Sequence, residues 1–96
     1  MELALSALED LEQLVRYHAQ QGSPETGRRL AREILAKIQR LARYPDSGRQ
    51  VPEFGVPFIR EIIFPPFRIV YRREQKRVGV ARVWRSERPL GRREVE

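Results

Sequence analysis

Phe58-Ile59-Arg60-Glu61-Ile62-Ile63-Phe64, then Pro65-Pro66, then Phe67-Arg68-Ile69-Val70-Tyr71-Arg72-Arg73 is the stretch on which the fold turns. β-Branched and aromatic residues dominate both runs, and two prolines between them cannot lie inside a central strand. The pattern predicts two strands joined by a tight turn. A polar tetrapeptide, Glu74-Gln75-Lys76-Arg77, separates them from a third run, Val78-Gly79-Val80-Ala81-Arg82-Val83-Trp84. Three such runs with short connections predict an antiparallel meander. Side chains alternate along a strand, so Phe67, Ile69 and Tyr71 share one face and Arg68 and Arg72 the other. The first set is expected in the core and the second on an open face. Arg60 goes with Ile62 and Phe64. Arg82 goes with Trp84, and Arg85 points the opposite way.

Upstream the period changes from two to 3.6. Ser6-Ala7-Leu8-Glu9 has the form of a capping box, with Ser6 as N-cap. Leu8, Leu11, Val15 and His18, with Leu14 beside them, then predict a helix over Ala7–Gln20 that stops at Gly22. Ser23-Pro24-Glu25 is a second start signal. Gly27, Leu30, Ala31, Ile34, Ile38 and Leu41 form the stripe of a helix from Pro24 to about Tyr44. Pro45-Asp46-Ser47-Gly48 ends it. Met1 to Leu5 fit a short edge strand. The expected fold is α+β: one domain over residues 1–96, with an N-terminal helical hairpin (about 7–44) packed on a 3–4-stranded antiparallel β-sheet (about 58–85) and a tail at 91–96. The other sheet face is expected to be at least partly open.

A chain of 96 residues makes one modest core. Nineteen basic residues against 13 acidic give a net charge of +6 and a pI near 10.7. Only Lys37 and Lys76 are lysines; the other 17 basic residues are Arg. With no Cys and one His, disulfide scaffolds, thiolate metal sites and cysteine nucleophiles are excluded, and neither metal nor cofactor is expected. Neither a membrane-spanning run nor a secretory signal is visible, so the expected location is the cytoplasm. His18 lies on an apolar stripe and reads as a packing residue.

The Arg excess suits an anionic partner. Arg29, Arg32, Arg40 and Arg43 lie opposite the apolar stripe of the second helix, with i,i+4 pairs Glu25–Arg29 and Arg29–Glu33. They form either a dock for an acidic protein or phosphate backbone, or an ordinary solvated face. Arg60, Arg68, Arg72 and Arg85 lie on the strands, and Arg88 in the segment after them. Forked guanidiniums on a rigid sheet suit phosphate or carboxylate recognition. The alternative is pairing with Glu53, Glu61 or Glu87.

Taken in order, Ala7-Leu8-Glu9-Asp10-Leu11-Glu12, Tyr44-Pro45-Asp46-Ser47-Gly48-Arg49, Val51-Pro52-Glu53-Phe54, Ile59-Arg60-Glu61-Ile62, Phe67-Arg68-Ile69-Val70-Tyr71-Arg72 and Trp84-Arg85-Ser86-Glu87-Arg88-Pro89-Leu90 resemble the RelE/ParE superfamily of type II toxin–antitoxin toxins. The resemblance runs from about Leu3 to Leu90. It implies a helical hairpin on an antiparallel sheet, and a cognate antitoxin that wraps and neutralises the toxin. The antitoxin would meet Arg29, Arg32, Arg40 and Arg43. ParE-like members inhibit DNA gyrase, whereas RelE-like members cut mRNA at the ribosomal A site. The long hairpin and the Pro-Glu-Phe stretch look ParE-like. The alternatives are a RelE-like endonuclease, or an inactive member that keeps only antitoxin binding.

Metal-free RNA cleavage needs a base, positive charge for the phosphorane and an acid. By resemblance, Arg68 supplies the charge and Glu53 stands where some nucleases keep a base. Arg85 stands where relatives often keep a His, and a guanidinium is a poor proton donor. Tyr71 falls with the core residues. The residues therefore offer an anion-binding surface (Arg60, Arg68, Arg72, Arg85 and Arg88) with little capacity to move a proton, which favours an inhibitor over a nuclease.

Overall fold

The computed structural model describes residues 2–75 and 77–85. The elements are β1 (Glu2–Leu3), α1 (Leu5–Gln20), α2 (Pro24–Leu41), β2 (Arg49–Gln50), β3 (Ile59–Phe64), β4 (Phe67–Glu74) and β5 (Arg77–Arg85). They form a five-stranded sheet in the order β1-β5-β4-β3-β2. From β2 to β5 the sheet is an antiparallel meander, and β1 pairs parallel with β5 after the hairpin has crossed one face. The sheet is thus larger than the 3–4 strands expected, and not purely antiparallel. The short edge strand expected within Met1 to Leu5 is β1; the addition is β2, whose two residues are too short for alternation to register.

Helix α1 begins at Leu5, before Ser6, and no side chain caps it. The Ser6 hydroxyl donates instead to the Ala81 carbonyl at 2.9 Å. Ala81 is the extra residue of a bulge, because Val70 pairs with Arg82 while Tyr71 pairs with Val80. Pairing with β1 ends at Val80, and α1 side chains then serve the outer edge of β5. Asp10 accepts from the Val83 N–H at 2.9 Å and takes both arms of Arg82 at 2.8 Å. A strand edge that would otherwise be free for aggregation is closed within the chain.

At its other end α1 closes in a Schellman turn: Gly22 has φ 81°, and the Ser23 N–H reaches the His18 carbonyl at 2.7 Å. Helix α2 ends at Leu41 rather than Tyr44, and the Arg43 and Tyr44 N–H groups both return to the Arg40 carbonyl in a further turn. A Cβ on Gly27 would lie 2.9 Å from His18 Cβ, so this glycine lets the two helices meet closely.

Between hairpin and sheet lies the main core: Ala7, Leu11 and Leu14 of α1, Ile34, Ile38 and Leu41 of α2, and Phe67, Ile69, Tyr71, Val78, Val80 and Val83 of the sheet. On α1 the buried stripe is set by Ala7, not Leu8, which is 43% exposed. The opposite sheet face is not open. Loop 51–58 folds over it, and Val51, Phe54, Val56 and Phe58 pack on Ile59, Val70 and Trp84 in a second small core.

Candidate functional site

Arg68 lies under that loop, 6% exposed, and not on an open surface. Its Nη1 and Nη2 donate to the two carboxylate oxygens of Glu53 at 2.8 and 2.9 Å, and its Nε donates to Glu61 at 2.6 Å. The other oxygen of Glu61 receives Arg49 Nε at 2.8 Å. Glu61 is itself 1% exposed. Three strands and the loop thus hold a row of alternating charge, Arg49–Glu61–Arg68–Glu53. Each of the three nitrogens of Arg68 already donates to a carboxylate. The hydrogen bonds from Arg68 hold the Glu53 carboxyl below its ordinary range against the opposing pull of burial, and Glu53 in turn leads the upward shift of the Arg68 guanidinium. Glu53 is therefore a weakened base, and Arg68 a cation that stays protonated.

The Pro45-Asp46-Ser47-Gly48-Arg49 stretch is a bracket on the same sheet. The Tyr71 hydroxyl donates to the Pro45 carbonyl at 2.8 Å and accepts from the Gly48 N–H at 3.0 Å. Burial raises its pKa. A Cβ on Gly48 would come within 2.7 Å of both the Tyr71 hydroxyl and the Glu61 carbonyl oxygen, so only glycine fits there. Asp46 pairs with Arg73 at 2.9 Å, and Arg60 Nη1 donates to the Gly48 carbonyl at 2.9 Å.

The sheet arginines do not converge on one surface. By register Arg60 and Arg85 face the hairpin side, from different ends of the sheet, while Arg68 and Arg72 lie on the loop side. Arg72 pairs with Glu74 and stacks over Phe58. Arg85 lies over the Phe67 ring, 6.0 Å from its centroid. Arg88 lies outside the described residues.

On α2, Arg29 pairs with Glu33 at 3.4 Å as expected, but Glu25 takes Arg28 instead of Arg29. Arg32, Arg40 and Arg43 are exposed, and none has an ion pair among the described residues.

A cavity of about 380 Å³ opens between α1 and the end of β4 and β5, walled by Leu14, Tyr17, His18, Phe67, Trp84 and Arg85. Sequence reasoning missed it. Tyr17 is 55% exposed, and an aromatic off the helical stripe is the one signal that pointed there. His18 is half-buried in its wall rather than packed away. Among the described residues, no group of three or more His, Asp or Glu side chains is arranged to hold a metal ion.

This hairpin on a twisted sheet, with its bracketing Gly48 and buried Arg68, fits a known family. Residues 1–90 match the model of the ParE toxin of type II toxin–antitoxin systems (parDE). The chain belongs to the ParE toxin family. The fold is similar to that of a chain from a solved structure described as the chromosomal ParDE toxin–antitoxin system of P. aeruginosa. That likeness has a TM-score of 0.73 at 23% identity and covers 91% of this chain and 97% of the other. No curated protein sequence matches. No helix among the described residues is long and apolar enough to cross a membrane.

Proposed function

We propose that this ParE-family chain acts as a protein inhibitor of DNA gyrase and is neutralised by a cognate antitoxin. The observation that carries the inhibitor reading is the state of Arg68. In a nuclease this guanidinium would have to meet the scissile phosphate. Here its Nη donors are held by Glu53 and its Nε by buried Glu61. The base a nuclease would use is the same Glu53, already ionised and engaged. Tyr71, the remaining candidate acid, is buried on the hairpin side and committed to Pro45 and Gly48. A chain that binds without catalysis needs none of these groups free.

The antitoxin seat is the cavity between α1 and β5. Leu14, Phe67 and Trp84 offer an apolar wall for anchors, and Arg85 at the rim meets an acidic flank. The charge of +6 speeds the encounter with an acidic segment.

Expression in a bacterial host without the antitoxin tests the reading. The expected result is growth arrest with a DNA-damage response, relieved by co-expressing the adjacent open reading frame. Codon-specific mRNA cuts on translating ribosomes, seen by primer extension, would overturn it in favour of the nuclease.

A further inference from the structure

Every arginine from Arg49 to Arg82 faces a carboxylate. Three exposed arginines without an ion pair among the described residues, Arg32, Arg40 and Arg43, lie together on α2 and the turn after it. With a turn of 100° per residue, Arg29, Arg32, Ala36, Arg40 and Arg43 fall on one side of this helix, away from the core stripe of Ile34, Ile38 and Leu41; Glu25 and Glu33 share its N-terminal part, where they pair with Arg28 and Arg29. The Arg43 N–H to the Arg40 carbonyl continues the helical path past Leu41.

We infer that this stripe binds the backbone of duplex DNA without regard to sequence. Two features favour a phosphate backbone over an acidic protein, the two partners that suit these residues. A protein interface needs a desolvated apolar centre, and between Arg32 and Arg40 this face carries only Ala36, with Ala42 and exposed Tyr44 at its far end. Polyanion binding needs no such centre, because it draws on the release of counterions from the phosphates. The second feature is spacing. Arg32 and Arg40 are eight residues apart, about 12 Å along the axis at the helical rise. That matches the ~12 Å width of the B-form major groove, so Arg32 meets one phosphate row and Arg40 with Arg43 the other. Ala36 is short enough to let the helix settle across the groove. The major groove of A-form RNA is too narrow for this placement.

The test is fluorescence anisotropy of a labelled random-sequence DNA duplex of about 20 base pairs, titrated with the full chain across a salt series. The expected dissociation constant is about 10⁻⁴–10⁻⁶ M at physiological salt, and three phosphate contacts, from Arg32, Arg40 and Arg43, give a log–log salt slope of about −2.7. Arg32→Gln with Arg40→Gln should reduce the slope by about 1.8, with circular dichroism unchanged, while Arg77→Gln leaves it unaltered. A double variant that binds DNA like the parent chain would overturn the inference, and so would equal binding of an A-form RNA duplex. Loss of antitoxin binding with DNA binding intact would assign the stripe to a protein and overturn it as well. None of these outcomes depends on gyrase.

Discussion

Arg68 of β4 clasps Glu53 of the covering loop through both Nη atoms, at 2.8 and 2.9 Å, and so ties the loop to the sheet. The strand arginine that the family resemblance casts as a phosphate ligand is here the keystone of a buried charge row. Its loss should therefore act on stability first. Arg68→Met strips Glu61, 1% exposed, of one of its two cations, and should cost about 3 kcal/mol or more in urea denaturation. Glu53→Gln removes a partner that is 37% exposed and should cost only about 1 kcal/mol. Equal and small effects of the two changes would show that the row is not a brace.

The same pair sets an acid limb. Folding lowers the Glu53 pKa beneath its ordinary 4.5, so its ionised form is favoured in the folded chain. That stabilisation is complete above pH 4.5 and fades as pH falls through the lower folded value. The stability gap between the parent chain and Glu53→Gln should be constant from neutral pH to about 5 and shrink below 4.5. Urea midpoints measured at stepped pH will show whether it does; a gap that widens in acid contradicts the pairing.

Gly48 and Tyr71 form the second joint. Gly48→Ala forces a Cβ to within 2.7 Å of the Tyr71 hydroxyl and the Glu61 carbonyl, and should destabilise by about 1–3 kcal/mol. Tyr71→Phe leaves the buried Gly48 N–H without its acceptor, at a cost of about 1–3 kcal/mol. Because the added methyl group would press on the hydroxyl itself, the double variant should be milder than the sum of the two. Strict additivity in thermal melts would argue against the contact.

Asp10 tests the closed edge of β5. Asp10→Ala removes the acceptor of the Val83 N–H and the carboxylate that pairs with Arg82, and should cost about 2 kcal/mol. Amide exchange at Val83 should quicken well beyond that at Val70, which lies on the central strand; uniform exchange would mean that α1 does not serve this edge.

How much of this was legible beforehand follows from the length scale of each cause. The hairpin and the three long strands show in the sequence because their periodicity repeats over many residues. Ser6 misled because the same hydroxyl that could cap α1 is nearer, in space, to the bulge carbonyl of Ala81. Leu8 misled because α1 turns Ala7 inward, and no local rule prefers a small residue there. For Arg68, alternation gave the correct face, the one away from the hairpin. Whether that face was open depended on loop 51–58 folding back over it, and such a loop leaves no periodic trace. Glu61, as its partner across the strands, was within reach of the reading, since pairing with Glu53 or Glu61 was the alternative to an anion site. The cavity beside Tyr17 arises between α1 and β5, elements more than 50 residues apart along the chain, and no short motif encodes it.

A toxin of this kind works by binding. The most direct measurement of that is plasmid supercoiling by purified gyrase in the presence of this chain. Supercoiling should stop at micromolar protein and resume when the cognate antitoxin is added. Gyrase that supercoils at the same rate with and without the chain would contradict the proposal.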